Sequence, residues 1–352
     1  MCFPLKMTTN KAGQAEGRLM MKAIVINAYG GPEVLQVMDV PRPTPKANEI
    51  LVQVRASSVG FGDLMARDFK HVTPAQFNMP AALWAVTRLT LGINRPNNLI
   101  LGAEFAGDVV AVGEKVTRFK IGDAVFGYRG PSFGCNAEYV CIAETGVVAH
   151  LPANLGYEEA ASVPYGALTA LNLFRKVDLE PGKSILINGA SGSIGSAAVQ
   201  LAKGLGAQVT GVCSTGGLDF VRSLGADHVI DYTREDFTQN GQTYDVIFDI
   251  LGRSGFEACA GSLKAQGRYL MASFKMNGLF QMLRTRGRDG KQVICALSME
   301  SQADLESVKA LLEAGTLRAT LDQRYRLDQA AEAHAYMMGS HKQGAVILTA
   351  LA

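Results

Sequence analysis

Apolar positions follow one rhythm before residue 151 and another after it. In the first part they form short runs separated by Gly and Pro: Lys22–Asn27, Glu49–Val59, Gly107–Gly113, Asp123–Tyr128 and Ala137–Ala143. From Leu51 to Arg55 apolar residues alternate with polar or small ones, the period of a half-buried strand. The stretch Val40–Glu49 is a Pro-rich connection. Many short strands cut by turns predict a barrel-like β domain. One segment breaks the rhythm: Asp68–Ile100 holds the only tryptophan, Trp84, in a helix-like run between Pro80 and Pro96. A long insertion in a β domain is a lid or pocket wall, or else a docked surface helix.

From about Leu151, strands alternate with helical patterns. Six apolar strands are expected at Ser184–Gly189, Gln208–Cys213, His228–Tyr232, Asp245–Leu251, Arg268–Ser273 and Gln292–Leu297. This alternation predicts a parallel sheet covered on both faces, so the fold class is α/β. Two helices ending at Gly315 and Gly339 follow, then a strand within Gly344–Ala350.

The first strand of that sheet runs straight into Ala190-Ser191-Gly192-Ser193-Ile194-Gly195, preceded by Gly189. Ile194, Ala197, Ala198, Leu201 and Leu205 then mark one face of a helix. Small residues let the backbone approach a ligand, and the first helical N–H groups favour a pyrophosphate. The first glycine of G-x-G-x-x-G is alanine here. The position, after a strand and opening a helix, points to a dinucleotide site. The next strand ends in Ser214-Thr215, where an NAD site carries Asp or Glu for the ribose hydroxyls. Hydroxyl residues remove that carboxylate and can bond a 2′-phosphate, which favours NADPH. Arg222 is either a cationic partner or a solvated helix residue. Tyr232 either lies against the adenine ribose or packs.

Composition sets the class. The 352 residues are 48% hydrophobic and 19% charged, a globular balance, and the formal net charge of +2 leaves no nucleic-acid footprint. No apolar run reaches the roughly 18 residues of a membrane span. The six cysteines form no C-x-x-C and read as reduced thiols of a cytoplasmic protein. Residues 1–20 read as a polar, aperiodic tail, with the fold starting at Met21.

The stretches GASGSIGSAAVQLAK, SLGADHVIDY, LPANLGYEEAASVPYGALTAL and LGAEFAGDVVAVGEKVTRFKIGDAVFG resemble the medium-chain dehydrogenase/reductase superfamily. They are most similar to its zinc-independent quinone oxidoreductase branch, from Met21 to nearly the C-terminus. The resemblance implies a GroES-like β-barrel catalytic domain (21–150 and 316–352), a Rossmann domain with a six-stranded doubly wound sheet (151–315), and a cofactor cleft between them. It also implies a homodimer. Zinc-dependent relatives place Cys, His-Glu and Cys where this chain has Gly60, Ala103-Glu104 and the region of Tyr165-Gly166. Only Glu104 survives, and one carboxylate cannot hold a catalytic zinc, so no metal is expected.

By the same resemblance, Gly192, Ser193 and Ile194 line the pyrophosphate, with Gly189 and Ala190 in the turn. Ser214, Thr215 and Tyr232 hold the adenosine end, and Thr169 approaches the nicotinamide half. Leu251, Gly252, Ala272, Ser273 and Phe274 border the ribose and nicotinamide, and Phe61 and Asp63 lie on the catalytic-domain side. Three positions depart from the branch: Gly60 replaces an Asn, Gly216 an Arg, and Gly344-Ala345 a Gly-Lys pair. No side chain is marked as the general acid. Tyr165 and Tyr128 are either proton donors or cleft-lining aromatics, and Asp63 is either catalytic or a holder of loop amides. The implied function is hydride transfer from NADPH to a small-molecule quinone or α,β-unsaturated carbonyl. The alternatives are an alkenal or long-chain enone reductase with little quinone activity, and an NADPH-binding regulatory or structural protein.

Overall fold

The structure, a computed structural model, describes residues 19–97, 100–287, 290–339 and 343–350. Most of the expected tail, residues 1–18, lies outside them. Seven strands precede residue 151: β1 (Met20–Ile26), β2 (Leu35–Pro41), β3 (Glu49–Val59), β4 (Glu104–Val112), β5 (Ala124–Tyr128), β6 (Tyr139–Ala143) and β7 (Val147–His150). Six follow: β8 (Ser184–Asn188), β9 (Gln208–Cys213), β10 (His228–Asp231), β11 (Tyr244–Asp249), β12 (Leu263–Met271) and β13 (Gln292–Cys295). Near the end come β14 (Leu321–Arg326) and β15 (Ala345–Thr349).

Strands β8 to β13 form one six-stranded sheet in the order β10-β9-β8-β11-β12-β13, every neighbour parallel. The order reverses beside β8, which creates the crevice where doubly wound sheets bind ligands. All six expected strands are present. The fifth begins earlier than its apolar run: Leu263 pairs with Tyr244 of β11, and the ladder resumes at Arg268 opposite Val246 after an irregularity that leaves the polar residues Lys264–Gln266 unpaired with β11.

The other sheet joins β3 to β7 with β14 and β15. One edge of β3 pairs with β6 at Glu49–Gln53 and with β15 at Ala56–Val59, while the other pairs with β4. β1 and β2 make a separate hairpin. The structure thus bears out a β domain joined to a doubly wound α/β domain. Strands β2, β7 and β14 were not legible in the hydrophobic pattern. β14 reads LDQRYR, and it is a strand because β15 offers it a partner, not because its side chains alternate into a core.

One apolar cluster spans both sheets. It contains Ala56, Ala106 and Phe126 of one, and Ile185, Val209 and Phe248 of the other. The helix Pro164–Phe174 sits between them with eight buried residues. Its apolar surface is buried on more than one side, which is why its sequence carries little helical amphipathicity. This wedge fixes the spacing of the two sheets and hence the width of the cleft.

Candidate active site

The glycine-rich turn follows β8. Gly189 has φ +99°, a left-handed conformation that L side chains rarely adopt. Its amide and that of Ala190 donate to the Val212 carbonyl at 3.1 and 3.0 Å, and the Gly192 amide donates back to the Gly189 carbonyl. Those three residues therefore shape the turn with amides already in use. Gly192 caps the helix Ser193–Gly204, so the amides of Ser193 and Ile194 stand in the first turn, where no intrahelical carbonyl is available. A Cβ on Gly195 would lie 2.1 Å from the Gly189 carbonyl oxygen and 2.7 Å from the Ala190 Cα. Only glycine lets this helix start so close to its own turn. A Cβ on Gly166 would meet the Ser193 carbonyl at 2.4 Å, so the helix Pro164–Phe174 begins hard against the same turn. Thr169, on that helix, has a buried hydroxyl without a partner among the described residues. Turn and hydroxyl together fit a nucleotide: an anion on the Ser193 and Ile194 amides, and a polar group within reach of Thr169.

The residues expected at the adenosine end are accessible to solvent. Tyr232 is 62% exposed, Thr215 is exposed and Ser214 half-buried. The Thr215 hydroxyl donates to Asp231 Oδ2 at 2.6 Å. Arg222 pairs with Asp219 at 2.7 Å, which fits the solvated reading of that side chain. From the other domain, Gln343 Nε2 donates to the Gly216 carbonyl at 2.6 Å and closes this end of the cleft.

The loops after β11 and β12 meet. A Cβ on Gly252 would lie 2.3 Å from the Ser273 carbonyl. Leu251 is exposed, Ala272 and Ser273 are half-buried, and the Phe274 ring is buried in the apolar cluster with Ile247 and Tyr269. Beneath them Asp249, fully buried, accepts from Gly252 N at 3.0 Å, Ser254 N at 3.1 Å and the Tyr269 hydroxyl at 2.7 Å. Sequence reasoning passed over Asp249. The available signal was an acid closing the apolar run Val246–Phe248.

On the catalytic-domain side, Asp63 is buried with both oxygens engaged. Oδ2 accepts from Gly60 N and Oδ1 from Gly102 N, each at 2.7 Å. Burial outweighs these bonds and pushes its carboxyl up to about 6. Glu104 is equally enclosed. It accepts the Ser58 hydroxyl on Oε2 and the Tyr165 amide on Oε1 at 2.7 Å, and burial pushes it up to about 7. The rings of Tyr165 and Tyr128 lie 6.0 Å apart. Burial raises both phenols, Tyr165 to about 12, and the nearby Glu104 adds to the effect on each. Phe61, 62% exposed, begins the next helix. Asp63, Glu104, Tyr128 and Tyr165 thus share one neighbourhood.

A catalytic zinc does not fit this neighbourhood. Gly60 and Ala103 bring no ligand atom, both Glu104 oxygens are engaged, and among the described residues no group of three His, Cys, Asp or Glu is placed to hold a metal.

Residues 46–168 match the family described as alcohol dehydrogenase GroES-like domain, and residues 224–348 the family described as zinc-binding dehydrogenase. A quinone oxidoreductase of Pseudomonas aeruginosa is 32% identical, over 94% of this chain and 99% of the relative. A 2-methylene-furan-3-one reductase of Solanum lycopersicum is 28% identical, over 93% of this chain and 79% of the relative. The quinone oxidoreductase structure from Coxiella burnetii superposes with a TM-score of 0.79 at 27% identity, covering 94% of this chain and 99% of that one.

Proposed function

The chain belongs to the medium-chain dehydrogenase/reductase superfamily, among quinone oxidoreductase relatives, and from that premise we propose that it is an NADPH-dependent, zinc-independent reductase of quinones or α,β-unsaturated carbonyls. The observation that carries the reading is the donor set around Glu104. Where a Lewis acid would stabilise an alkoxide, this chain has Gly60, Ala103 and a buried carboxyl whose two oxygens each already accept a bond, from Ser58 and from Tyr165. That environment suits acceptors that delocalise the incoming charge themselves, as quinones and enones do.

A reduced nicotinamide supplies the hydride when bound. The protein's part is to hold and orient. The Ser193 and Ile194 amides bind the pyrophosphate. Gly189, Ala190 and Gly192 shape the turn, and Ser214, Thr215 and Tyr232 take the adenosine end. β9 ends at Cys213, and the next two residues, Ser214 and Thr215, bring no acid, which supports NADPH over NADH. Thr169, the Leu251-Gly252 turn and Ala272–Phe274 frame the nicotinamide half, with Phe61 opposite. Asp63 acts by holding the Gly60 and Gly102 amides. Tyr165 keeps its proton at neutral pH, since burial raises its phenol to about 12, and it can give that proton to a developing enolate. The reading includes a homodimer in the cytoplasm. A relative named as a 2-methylene-furan-3-one reductase supports the enone version in particular.

The test follows nicotinamide absorbance with a benzoquinone, a naphthoquinone, an alkenal and a simple aldehyde, each with NADPH and NADH, with and without chelator. We expect faster oxidation of NADPH than NADH by a quinone or the alkenal, unchanged by chelator. Aldehyde reduction abolished by chelator would overturn the metal-free reading. Tight NADPH binding without turnover of any acceptor would make the chain a nucleotide-binding regulator instead.

A further inference from the structure

The inserted segment that interrupts the β domain reaches the other domain. Its base is an aromatic stack on the catalytic side: Phe69, fully buried, packs edge-on to Phe77 at 5.6 Å and stacks with Trp84 at 6.5 Å. Trp84 Nε1 donates to the Val72 carbonyl at 2.8 Å, which ties the two ends of the segment together. From this base the tip makes three contacts of different kinds with the Rossmann side. Asn78 Nδ2 donates to the Leu251 carbonyl. The Ala75 carbonyl accepts from Lys275 Nζ at 2.8 Å. Met79 packs on the apolar cluster that holds Phe274. The contacted loops are the two that meet at Gly252 and Ser273.

We propose that Thr73–Met79 is an interdomain clasp, and that Asn78 is a positioning residue whose bond to the Leu251 carbonyl latches the cleft shut over the nicotinamide half, so that nucleotide leaves only after the latch opens. This inference rests on the nucleotide site proposed above. Three features carry it. The Leu251-Gly252 turn is tied down from below by Asp249 and from above by Asn78, so Asn78 is the upper of two restraints on one turn. The clasp's base is held by the aromatic stack and its tip is half-buried or exposed, with polar contacts that water can replace, which keeps the opening cost low. The adenosine end has its own closure, Gln343 on Gly216, so opening the clasp frees one half of the cleft without separating the domains.

The test uses the full chain. Dissociation of NADPH is followed by stopped-flow fluorescence, with amide hydrogen exchange of residues 75–79 measured on the nucleotide-free protein. Asn78→Ala should speed dissociation about fivefold, the loss of one hydrogen bond. Asn78→Asp, which sets an acceptor against the Leu251 carbonyl, should speed it further, and Asn78→Gln, which keeps the donor, should restore part of the slow rate. Exchange at 75–79 should rise in the same order, with the thermal midpoint nearly unchanged. Wild-type dissociation and exchange in Asn78→Ala and Asn78→Asp would overturn the clasp, as would a fall in thermal midpoint without change in either rate. If the wild-type chain binds neither NADPH nor NADH, the functional reading fails on its own, and the exchange series alone decides whether the latch exists.

Discussion

Replacing Gly195 with alanine should weaken NADPH binding at least about 100-fold, roughly 2.7 kcal/mol. The added Cβ would sit 2.1 Å from the Gly189 carbonyl oxygen and 2.7 Å from the Ala190 Cα. Both are backbone atoms, so no side chain can swing aside. The helix Ser193–Gly204 must slide away from its turn, and the Ser193 and Ile194 amides move with it. Ala190 is itself fully buried, and it crowds Gly211 of β9, where a Cβ would come 3.0 Å from the Ala190 Cβ. The displacement therefore spreads into the sheet and lowers the thermal midpoint. Gly192→Ala is the control. Its φ is −80° and the nearest atom to a new Cβ is 3.6 Å away, so stability should stay within about 0.5 kcal/mol of wild type. Titration of NADPH by fluorescence, with thermal melts, checks both. Wild-type affinity in Gly195→Ala would remove this turn as the nucleotide site.

The second large effect is on pH dependence. Glu104 and Asp63 are buried, and their carboxyls stand at about 7 and about 6 in the folded protein, above their ordinary values of 4.5 and 3.8. Between the ordinary and the raised values the folded protein holds protons that the unfolded chain has released. The stabilisation is complete below the unfolded pKa values, near pH 4, and is lost as pH rises through 6 and then 7. Stability should thus fall between pH 4.5 and 8, by up to about 3 kcal/mol for each group. Glu104→Gln removes one contribution. Its carbonyl can accept the Tyr165 amide while its NH2 donates to the Ser58 oxygen, so the variant should match or exceed wild type at pH 8 and show a flatter profile. Glu104→Ala leaves the Tyr165 amide and the Ser58 hydroxyl unpaired in a buried place and should lose about 2–4 kcal/mol at pH 5, a deficit that narrows toward pH 8 as wild type loses the Glu104 contribution. Denaturant unfolding at pH 5, 6.5 and 8 separates these outcomes. A Glu104→Gln profile as steep as wild type would show that the carboxyl does not titrate there.

The α/β alternation, the six parallel strands and the strand-turn-helix at Gly189–Gly195 were readable from residue order alone. Each rests on interactions between near neighbours: apolar runs that must be buried on both faces, and glycines required within a few residues of where they act. What remained hidden depends on distant partners. β14 is polar and becomes a strand only through β15. Asp63 could have been a base or a holder of amides until Gly60 and Gly102, 39 residues apart from Asp63 in the second case, were seen to take both its oxygens. Glu104 looked like the remnant of a metal site, and tertiary contact turned it into a buried acceptor for Ser58 and Tyr165. The insertion could have been a pocket wall or a docked helix. Asn78 meets Leu251 across 173 residues, and no local pattern encodes that meeting. Local periodicity determines which elements form and where a nucleotide turn lies. Which polar groups face one another across the cleft depends on how two sheets pack around the helix Pro164–Phe174, and only the folded chain decides that.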